Sequence, residues 1–295
     1  MNIYSAISSN KRKTYLIMFL FVVIITTLVY VLVRATGYSS SYAIIALVIA
    51  TISSVGSYFF SDKIVLATAG AKPVTKENAP EVYNALENLS IGAGIQMPRL
   101  FLINDPVPNA FATGRDPKHA VVAVTTGLVE KLNKIELESV LAHELSHIRN
   151  FDTRLMMITA VLVGFVAILS DLFMRHLFFR NNDRSGRAGM VFILIGILLA
   201  ILTPIVASLI QLAISRKREF LADASGVLLT RYPDGLAQAL EKIASDPHPN
   251  KEATNATAHL YIINPFKGKS AGHWFTSLFN THPAIEERIK ILREM

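Results

Sequence analysis

The sequence predicts an α-helical integral membrane protein that carries a mainly helical α+β domain with a small sheet. Of its 295 residues, 52% are hydrophobic and only 17% are charged, whereas an ordinary soluble domain has about 25% charged residues. Four long apolar runs alternate with mixed polar segments. Those polar segments contain amphipathic helical patterns and short β-branched stretches, which indicate helices and a few strands.

Composition also excludes several classes of protein. The chain has no cysteine, which excludes a disulfide framework, a Cys-ligated zinc site, an iron–sulfur cluster and a thiol nucleophile. The net charge of +7 is accompanied by no motif for DNA or RNA, so we expect no nucleic-acid partner. In a membrane protein such basic residues more often flank the spans on the cytoplasmic side.

The first two apolar runs predict a helical hairpin in the lipid bilayer. Residues 14–33 are uncharged and follow Lys11, Arg12 and Lys13, and a span needs roughly 20 residues. A signal-peptide core is shorter, at roughly 7–15 residues, and no small-residue cleavage site follows. Residues 42–60 form the second run. The basic cluster places the start of the hairpin in the cytoplasm.

The polar segments predict the elements of the attached domain. Asn133 precedes a clear amphipathic helix, so we expect it to be the N-cap of that helix. The expected helices are residues 79–89, 136–150, 215–230, 234–245 and 283–293, and the expected strands are residues 99–103, 109–112 and 120–125.

Two later apolar runs, residues 155–170 and 190–214, are separated by a basic loop at residues 175–187. Their apolar length favours a second membrane hairpin. The loop contains four arginines, and the positive-inside rule disfavours its export. A re-entrant or peripheral hairpin therefore stays open as an alternative.

His143-Glu144-Leu145-Ser146-His147 is an HExxH motif. Residues four apart share one helix face, so both imidazoles can bind one zinc ion while Glu144 faces a water molecule. Zinc lowers the pKa of such a water to about 7, and a carboxylate can then take its proton. The alternative is a helix with two surface histidines. Apolar neighbours instead indicate a half-buried helix, in which unpaired polar groups are costly.

A catalytic zinc needs a third protein ligand and one open position. Cysteine is absent, and Thr153 stands where a metzincin would place its third histidine. Glu219 supplies a carboxylate from a second helix, the gluzincin arrangement. Asp223 shares its face and can accept a ring N–H from a ligand histidine. A solvated helix face is the alternative for this pair, but the apolar Phe220 and Leu221 beside it favour the ligand role.

These motifs together resemble the HtpX-type membrane zinc metalloproteases, which are related to the CAAX prenyl-protein endopeptidases. The resemblance rests on HELSHIRNFD, on EFLAD after a hydrophobic hairpin, on His282-Pro283 with Arg288, and on the segment VPNAFATG, and it covers nearly the whole chain. It implies an endopeptidase that cleaves misfolded or damaged membrane proteins in quality control and the stress response. It also implies a multi-pass protein of the bacterial inner membrane with a cytoplasmic active site and a zincin-like (gluzincin) domain.

The resemblance assigns roles to individual residues. It makes His143, His147 and Glu219 the ligands of one zinc ion per chain and Glu144 the general base. His282 would face the developing oxyanion, Asn109 would bind an extended peptide as an added strand, and Arg288 would bind the substrate backbone.

Two of these positions keep an alternative. Asp152 completes the pattern HExxHxxxxD, which suggests that it contacts a ligand histidine without binding the metal itself. It could equally be a helix-junction residue that bonds Arg154 or a backbone N–H. For His282, the alternative is a surface-loop histidine.

The expected organisation is an N-terminal transmembrane hairpin (14–60), a first part of the catalytic domain (61–154), a second hydrophobic hairpin (155–214) and a second catalytic part (215–295). Two other functions remain open. A CAAX-type prenyl-peptide endopeptidase is disfavoured because such enzymes carry more spanning helices. A non-catalytic membrane zinc-binding scaffold is disfavoured because structural zinc sites usually use cysteine. The pattern indicates no oligomeric state and no cleavage preference.

Overall fold

The computed structural model describes residues 3–36, 41–157, 216–247, 262 and 283–295. Two long helices, α1 (Ile3–Thr36) and α2 (Ser41–Thr68), contain the first two apolar runs and pack against each other. Within the described ranges, no helix has both the length and the apolar character that crossing a membrane requires. Most of the expected second hydrophobic hairpin, from residue 158 onward, lies outside the described residues.

A small mixed sheet follows α2. Its strands are β1 (Lys72–Pro73), β2 (Arg99–Ile103), β3 (Ala110–Thr113) and β4 (Val121–Thr125). The order is β1-β2-β4-β3, with β2 and β4 parallel and the other pairs antiparallel. The three predicted strands are confirmed to within a residue or two. Strand β1 was not predicted, because two residues are too few for a recognisable alternation.

Helices surround this sheet and confirm the helical pattern of the domain. They are α3 (Pro80–Ala93), α4 (Thr126–Lys131), α5 (Lys134–Arg149), α6 (Arg216–Thr230), α7 (Pro233–Ala244) and α8 (Ile285–Arg293). The short helix α4 was not predicted, because six residues are less than two turns and show little periodicity.

Helix α5 begins where the sequence predicts. The Asn133 side chain accepts a hydrogen bond from the Glu136 backbone N–H at 3.0 Å, and the Glu136 carboxylate accepts one from the Asn133 N–H at 2.8 Å. This capping box satisfies two N–H groups at the helix start. The helix ends before Phe151, whose φ of 58° turns the chain out of the helical path.

The hydrophobic core places α5 at the centre of the domain. Helix α5 packs against α3, α6, α7 and β3, and its Leu137, Leu141 and Leu145 are 2% exposed or less. Helix α6 approaches α5 closely at Gly226, where a Cβ atom would lie 3.1 Å from the His143 backbone nitrogen. Because Glu219, Asp223 and Gly226 share one face of α6, this close approach brings both carboxylates against α5.

Candidate metal centre

Helices α5 and α6 bring together the two histidines of the HExxH motif and Glu219. One donor atom from each of these residues lies within 4.8 Å of the others. The Glu219 carboxylate is 3.5 Å from His147 Nε2 and 3.8 Å from His143 Nε2. All three side chains are almost completely buried. Two imidazoles and one carboxylate are the ligand set of a catalytic zinc site.

Each histidine faces a carboxylate on the side away from Glu219. His147 Nδ1 is hydrogen-bonded to Asp152 Oδ2 at 3.1 Å. His143 Nδ1 lies 2.9 Å from Asp223 Oδ1, although its N–H direction is not aligned for a straight hydrogen bond. A carboxylate at Nδ1 favours the tautomer in which Nε2 carries the lone pair.

The two Nε2 atoms lie only 3.2 Å apart. If both rings carry their protons on Nδ1, two lone pairs face each other in a buried place, and this arrangement is repulsive without a positive charge between or beside them. A metal cation relieves that repulsion, so the residues present fit a bound metal ion.

The charges around the histidines also fit a cation. Burial lowers the pKa of His147, but the Asp152 hydrogen bond and the charges of Glu219, Asp152 and Glu144 outweigh burial and raise it to about 9. Among the described residues of this cluster, four buried carboxyl groups meet two buried guanidinium groups, so the acidic side chains outnumber the arginines. Buried charge of this kind is costly without a counter-ion, and a divalent ion supplies it.

Glu144 lies beside the group of His143, His147 and Glu219, but it is not one of the three residues whose donor atoms come together. It is 4% exposed. Burial raises the pKa of its carboxyl, and the negative charge of Glu219 raises this pKa further. The charges of His143 and His147 lower it, but the net effect is a rise. The Ala112 backbone in β3 contacts it by a hydrogen bond that favours the charged form. A carboxyl with a raised pKa is suited to accept and return a proton near neutral pH.

Arg288 reaches the centre from α8 and is fully buried. Its Nε and Nη2 atoms donate to the two oxygens of Asp223 at 2.9 and 2.6 Å. Nη1 is 3.5 Å from Glu219 Oε2, and Nη2 is 3.5 Å from His143 Nε2. Burial raises the pKa of Asp223, but the Arg288 charge and the His143 contact outweigh it and keep that pKa below its usual range.

Asp152 contacts three groups around the end of α5. Besides His147, its Oδ1 atom accepts a hydrogen bond from Asn10 Nδ2 at 2.7 Å and lies 3.8 Å from Arg218 Nε. Arg154 bonds elsewhere, donating from Nε to the Arg115 carbonyl at 2.6 Å.

Asn109 precedes β3 and is 3% exposed. Its backbone pairs with Thr125, and its Oδ1 atom accepts a hydrogen bond from the Ile262 N–H at 3.1 Å. The structure therefore places an internal partner on this side-chain oxygen. His282 lies outside the described residues.

Sequence reasoning missed two buried side chains of this centre, Asn10 and Arg218. Asn10 lies on a buried face of α1 with Thr14, Ile17 and Phe21, at a spacing of four, three and four residues. That periodicity could have identified the buried face. Nothing in the sequence pairs Asn10 with residues 140 or more positions away.

Comparison with known proteins decides the family. Residues 76–295 match Peptidase family M48. The chain belongs to Peptidase family M48. It is 43% identical over 292 residues to the Protease HtpX homolog of Dictyoglomus thermophilum, covering 99% of this chain and 94% of that protein. The Protease HtpX homolog of Tropheryma whipplei strain Twist is 42% identical over 292 residues, with coverage of 99% and 98%.

An M48 member is a peptidase, so this chain is a metalloprotease that hydrolyses peptide bonds. The crystal structure of S. mikatae Ste24p has the same fold, with a TM-score of 0.52 at 19% identity, over 98% of this chain and 67% of Ste24p. The buried His143, His147 and Glu219 are the group in the described M48 domain that could hold a metal ion.

Proposed function

We propose that this metalloprotease is a zinc-dependent endopeptidase of the bacterial inner membrane that cleaves misfolded or damaged membrane proteins from the cytoplasmic side. The observation that carries the proposal is the buried group of His143, His147 and Glu219 with the Glu144 carboxyl beside it. The three ligands would hold one zinc ion per chain. When bound, zinc polarises a peptide carbonyl and makes a nearby water more acidic.

Glu144 is the proposed general base. Its carboxylate takes a proton from the attacking water and then returns that proton to the leaving amine. Burial raises the pKa of Glu144, which favours its protonated form between the two steps. His282 is proposed to stabilise the oxyanion on the strength of the family resemblance. Arg288, whose Nη2 is 3.5 Å from His143 Nε2, is proposed to bind the backbone of a substrate held at the metal.

The edge of β3 is the proposed place for the substrate backbone. Thr125 N–H donates to the Asn109 carbonyl, and hydrogen bonding alternates along an antiparallel pair. Phe111 and Thr113 therefore pair with β4, while the peptide groups of Ala110 and Ala112 face the other way, where the Ala112 backbone also contacts Glu144. An extended peptide could add there as a strand. We propose that Asn109 contacts this peptide through Nδ2, since Oδ1 accepts from Ile262.

Contact with the lipid bilayer is supported by the surfaces of α1 and α2. These two helices expose many large apolar side chains, and contiguous apolar surface of this kind marks membrane or protein contact. Lys11, Arg12 and Lys13 near the start of α1 favour a cytoplasmic position for that end. The exposed side chains include Leu16, Phe19, Ile44, Ile45, Ile49, Ile52, Phe59 and Phe60.

A Glu144→Gln variant tests the catalytic proposal, because it keeps the shape of the side chain and removes its proton acceptance. We expect purified Glu144→Gln protein to retain one zinc per chain and to lose cleavage of an unfolded casein-like protein. The matched control is Glu138→Gln, a half-buried position on the same helix, which should keep both properties. Loss of zinc together with activity would make Glu144 a structural residue.

The substrate class is tested with the same preparations. A CAAX-type prenyl-peptide endopeptidase is the alternative activity, so a prenylated peptide is the informative second substrate. We expect the parent protein to cleave the unfolded protein and to leave the prenylated peptide largely intact. Preferential cleavage of the prenylated peptide would replace the proposal with a CAAX-type activity. Zinc binding without cleavage of either substrate would favour a scaffold.

A further inference from the structure

A single buried amide links the first helix of the chain to the metal centre. Asn10 lies on α1 and is 3% exposed. A buried amide costs free energy unless its donors and acceptors are bonded. Asn10 meets this requirement with groups near the end of α5 and on α6, which are distant in sequence.

The amide nitrogen of Asn10 has two partners. Nδ2 donates to Asp152 Oδ1 at 2.7 Å and to the Asn150 carbonyl at 3.0 Å. On the other side of the amide, Oδ1 accepts from Arg218 Nη1 at 3.5 Å. Asn10 therefore bridges the turn after the HExxH helix and the residue that precedes Glu219.

The two oxygens of Asp152 are used for different purposes. Oδ2 binds His147 Nδ1, while Oδ1 binds Asn10. A carboxylate held at both oxygens cannot rotate about its own bond without breaking one contact. Asp152 also lies beyond the last residue of α5, after Phe151 with its φ of 58° and at the start of a further helical segment, residues 152–157, so α5 itself does not fix its position.

We infer that Asn10 is a positioning residue for the metal centre: it holds the Asp152 carboxylate in the orientation that fixes the His147 ring. This inference rests on the proposed metal site. The first helix of the chain then has a role in the metal site besides its role in the proposed membrane contact. No residue of α1 touches the metal itself in this scheme, since Asn10 acts only through Asp152.

The experiment measures zinc affinity by chelator competition in the full-length protein. Losing a carboxylate that supports a ligand costs about 10–100-fold in metal affinity. Asn10→Ala removes a contact one step further out, so we expect zinc to bind about 3- to 10-fold more weakly. Asn10→Leu keeps the side-chain volume without the amide, should give the same loss, and replaces the alanine variant if a cavity prevents folding.

Thr14 provides the matched control. It lies one turn further along the same buried face of α1, is fully buried, and its hydroxyl has no hydrogen-bond partner in the described part of the chain. Thr14→Ala therefore disturbs the packing of α1 without touching Asp152. We expect its zinc affinity to equal that of the parent protein.

A double-mutant cycle with Asp152→Ala separates positioning from a general structural effect. If Asn10 acts through Asp152, Asn10→Ala weakens zinc binding in the parent protein and has no further effect once Asp152 is alanine. An equal loss in both backgrounds, an equal loss in Thr14→Ala, or parent-like affinity in both Asn10 variants overturns the inference. A parent protein that binds no zinc instead refutes the proposed function, and this inference with it.

Discussion

The two histidines of the metal centre are supported in different ways. His143 faces Asp223, which a fully buried Arg288 from α8 holds through two hydrogen bonds. His147 faces Asp152, which the uncharged Asn10 amide from α1 holds through one hydrogen bond, with the Arg218 guanidinium further away at 3.8 Å. One side is an ion pair and the other is mainly a neutral bridge.

Because the two supports differ, we expect one to affect mainly the stability of the fold and the other to affect mainly the affinity for the metal. A buried ion pair that loses one partner leaves an uncompensated charge, which destabilises the whole fold. Loss of the neutral Asn10 amide removes one contact each from Asp152, the Asn150 carbonyl and Arg218, and water molecules can replace these contacts. We therefore expect changes on the His143 side to affect folding strongly, and changes on the His147 side to affect mainly metal binding.

The largest expected effect is that of Arg288→Met. Methionine retains much of the apolar volume but leaves Asp223 charged and buried without its partner. Breaking a buried pair in this way costs about 3–5 kcal/mol of unfolding free energy. Denaturant unfolding of the metal-free protein measures it.

The control for that change lies on the same helix. Arg293 pairs with Glu241 at 2.6 Å, but these side chains are 52% and 44% exposed. Arg293→Met should alter the unfolding free energy by less than about 1 kcal/mol. Equal costs for the two substitutions would mean that the Arg288–Asp223 pair does not stabilise the fold as proposed.

A second comparison uses the two supporting carboxylates. Asp223→Asn and Asp152→Asn should each weaken zinc binding by about 10–100-fold, because each removes a charged acceptor for a ligand histidine. We expect Asp223→Asn to lower the unfolding free energy of the metal-free protein more than Asp152→Asn does, because Asp223 accepts two hydrogen bonds from the buried Arg288, whereas the buried Arg218 lies 3.8 Å from Asp152. Asp234→Asn, at an exposed position of α7, is the control. If the zinc affinity of Asp152→Asn equals that of the parent protein, Asp152 does not support His147 in the way that Asp223 supports His143.

The smallest expected effect concerns the distance between α5 and α6. In Gly226→Ala, the new Cβ would lie 3.1 Å from the His143 nitrogen and 3.3 Å from the Ala142 carbonyl carbon. Overpacking against backbone should cost about 1 kcal/mol of stability. Gly92→Ala, whose Cβ meets only the Cδ1 end of Leu229 at 3.1 Å, should instead stabilise α3 by up to about 1 kcal/mol. Thermal unfolding that ranks the two variants in the opposite order would contradict this account of the helix contact.

The sequence was most informative where the signals are local. The start of α5 follows from Asn133 and Glu136, three residues apart, and the facing histidines follow from a spacing of four. The predictions of three strands and one capped helix are confirmed because the strand and capping signals act within one element. Glu219 is distant in sequence from the HExxH motif, and it could be proposed as a ligand only because that motif requires a third one.

The supporting contacts are not local, and this is why the sequence did not predict them. Asn10 and Asp152 are 142 residues apart, and Asn10 and Arg218 are 208 apart. An asparagine in an N-terminal helix has no spacing relation to an aspartate in another element. Its partner is decided by how α1 packs on the domain, which is a property of the folded chain.

The long separation between Asn10 and its partners has a consequence for the order of folding. Contacts between distant residues form slowly, because closing a long loop reduces chain entropy before the contact can stabilise the product. The helix that carries both histidines can form early from local contacts, whereas the bridge to α1 joins segments 140 residues or more apart. A newly made molecule would thus acquire the bridge from α1 to Asp152 later than the helix that carries both histidines. For this metalloprotease, both histidines are therefore placed on one helix before the contact that supports His147 from α1 has formed.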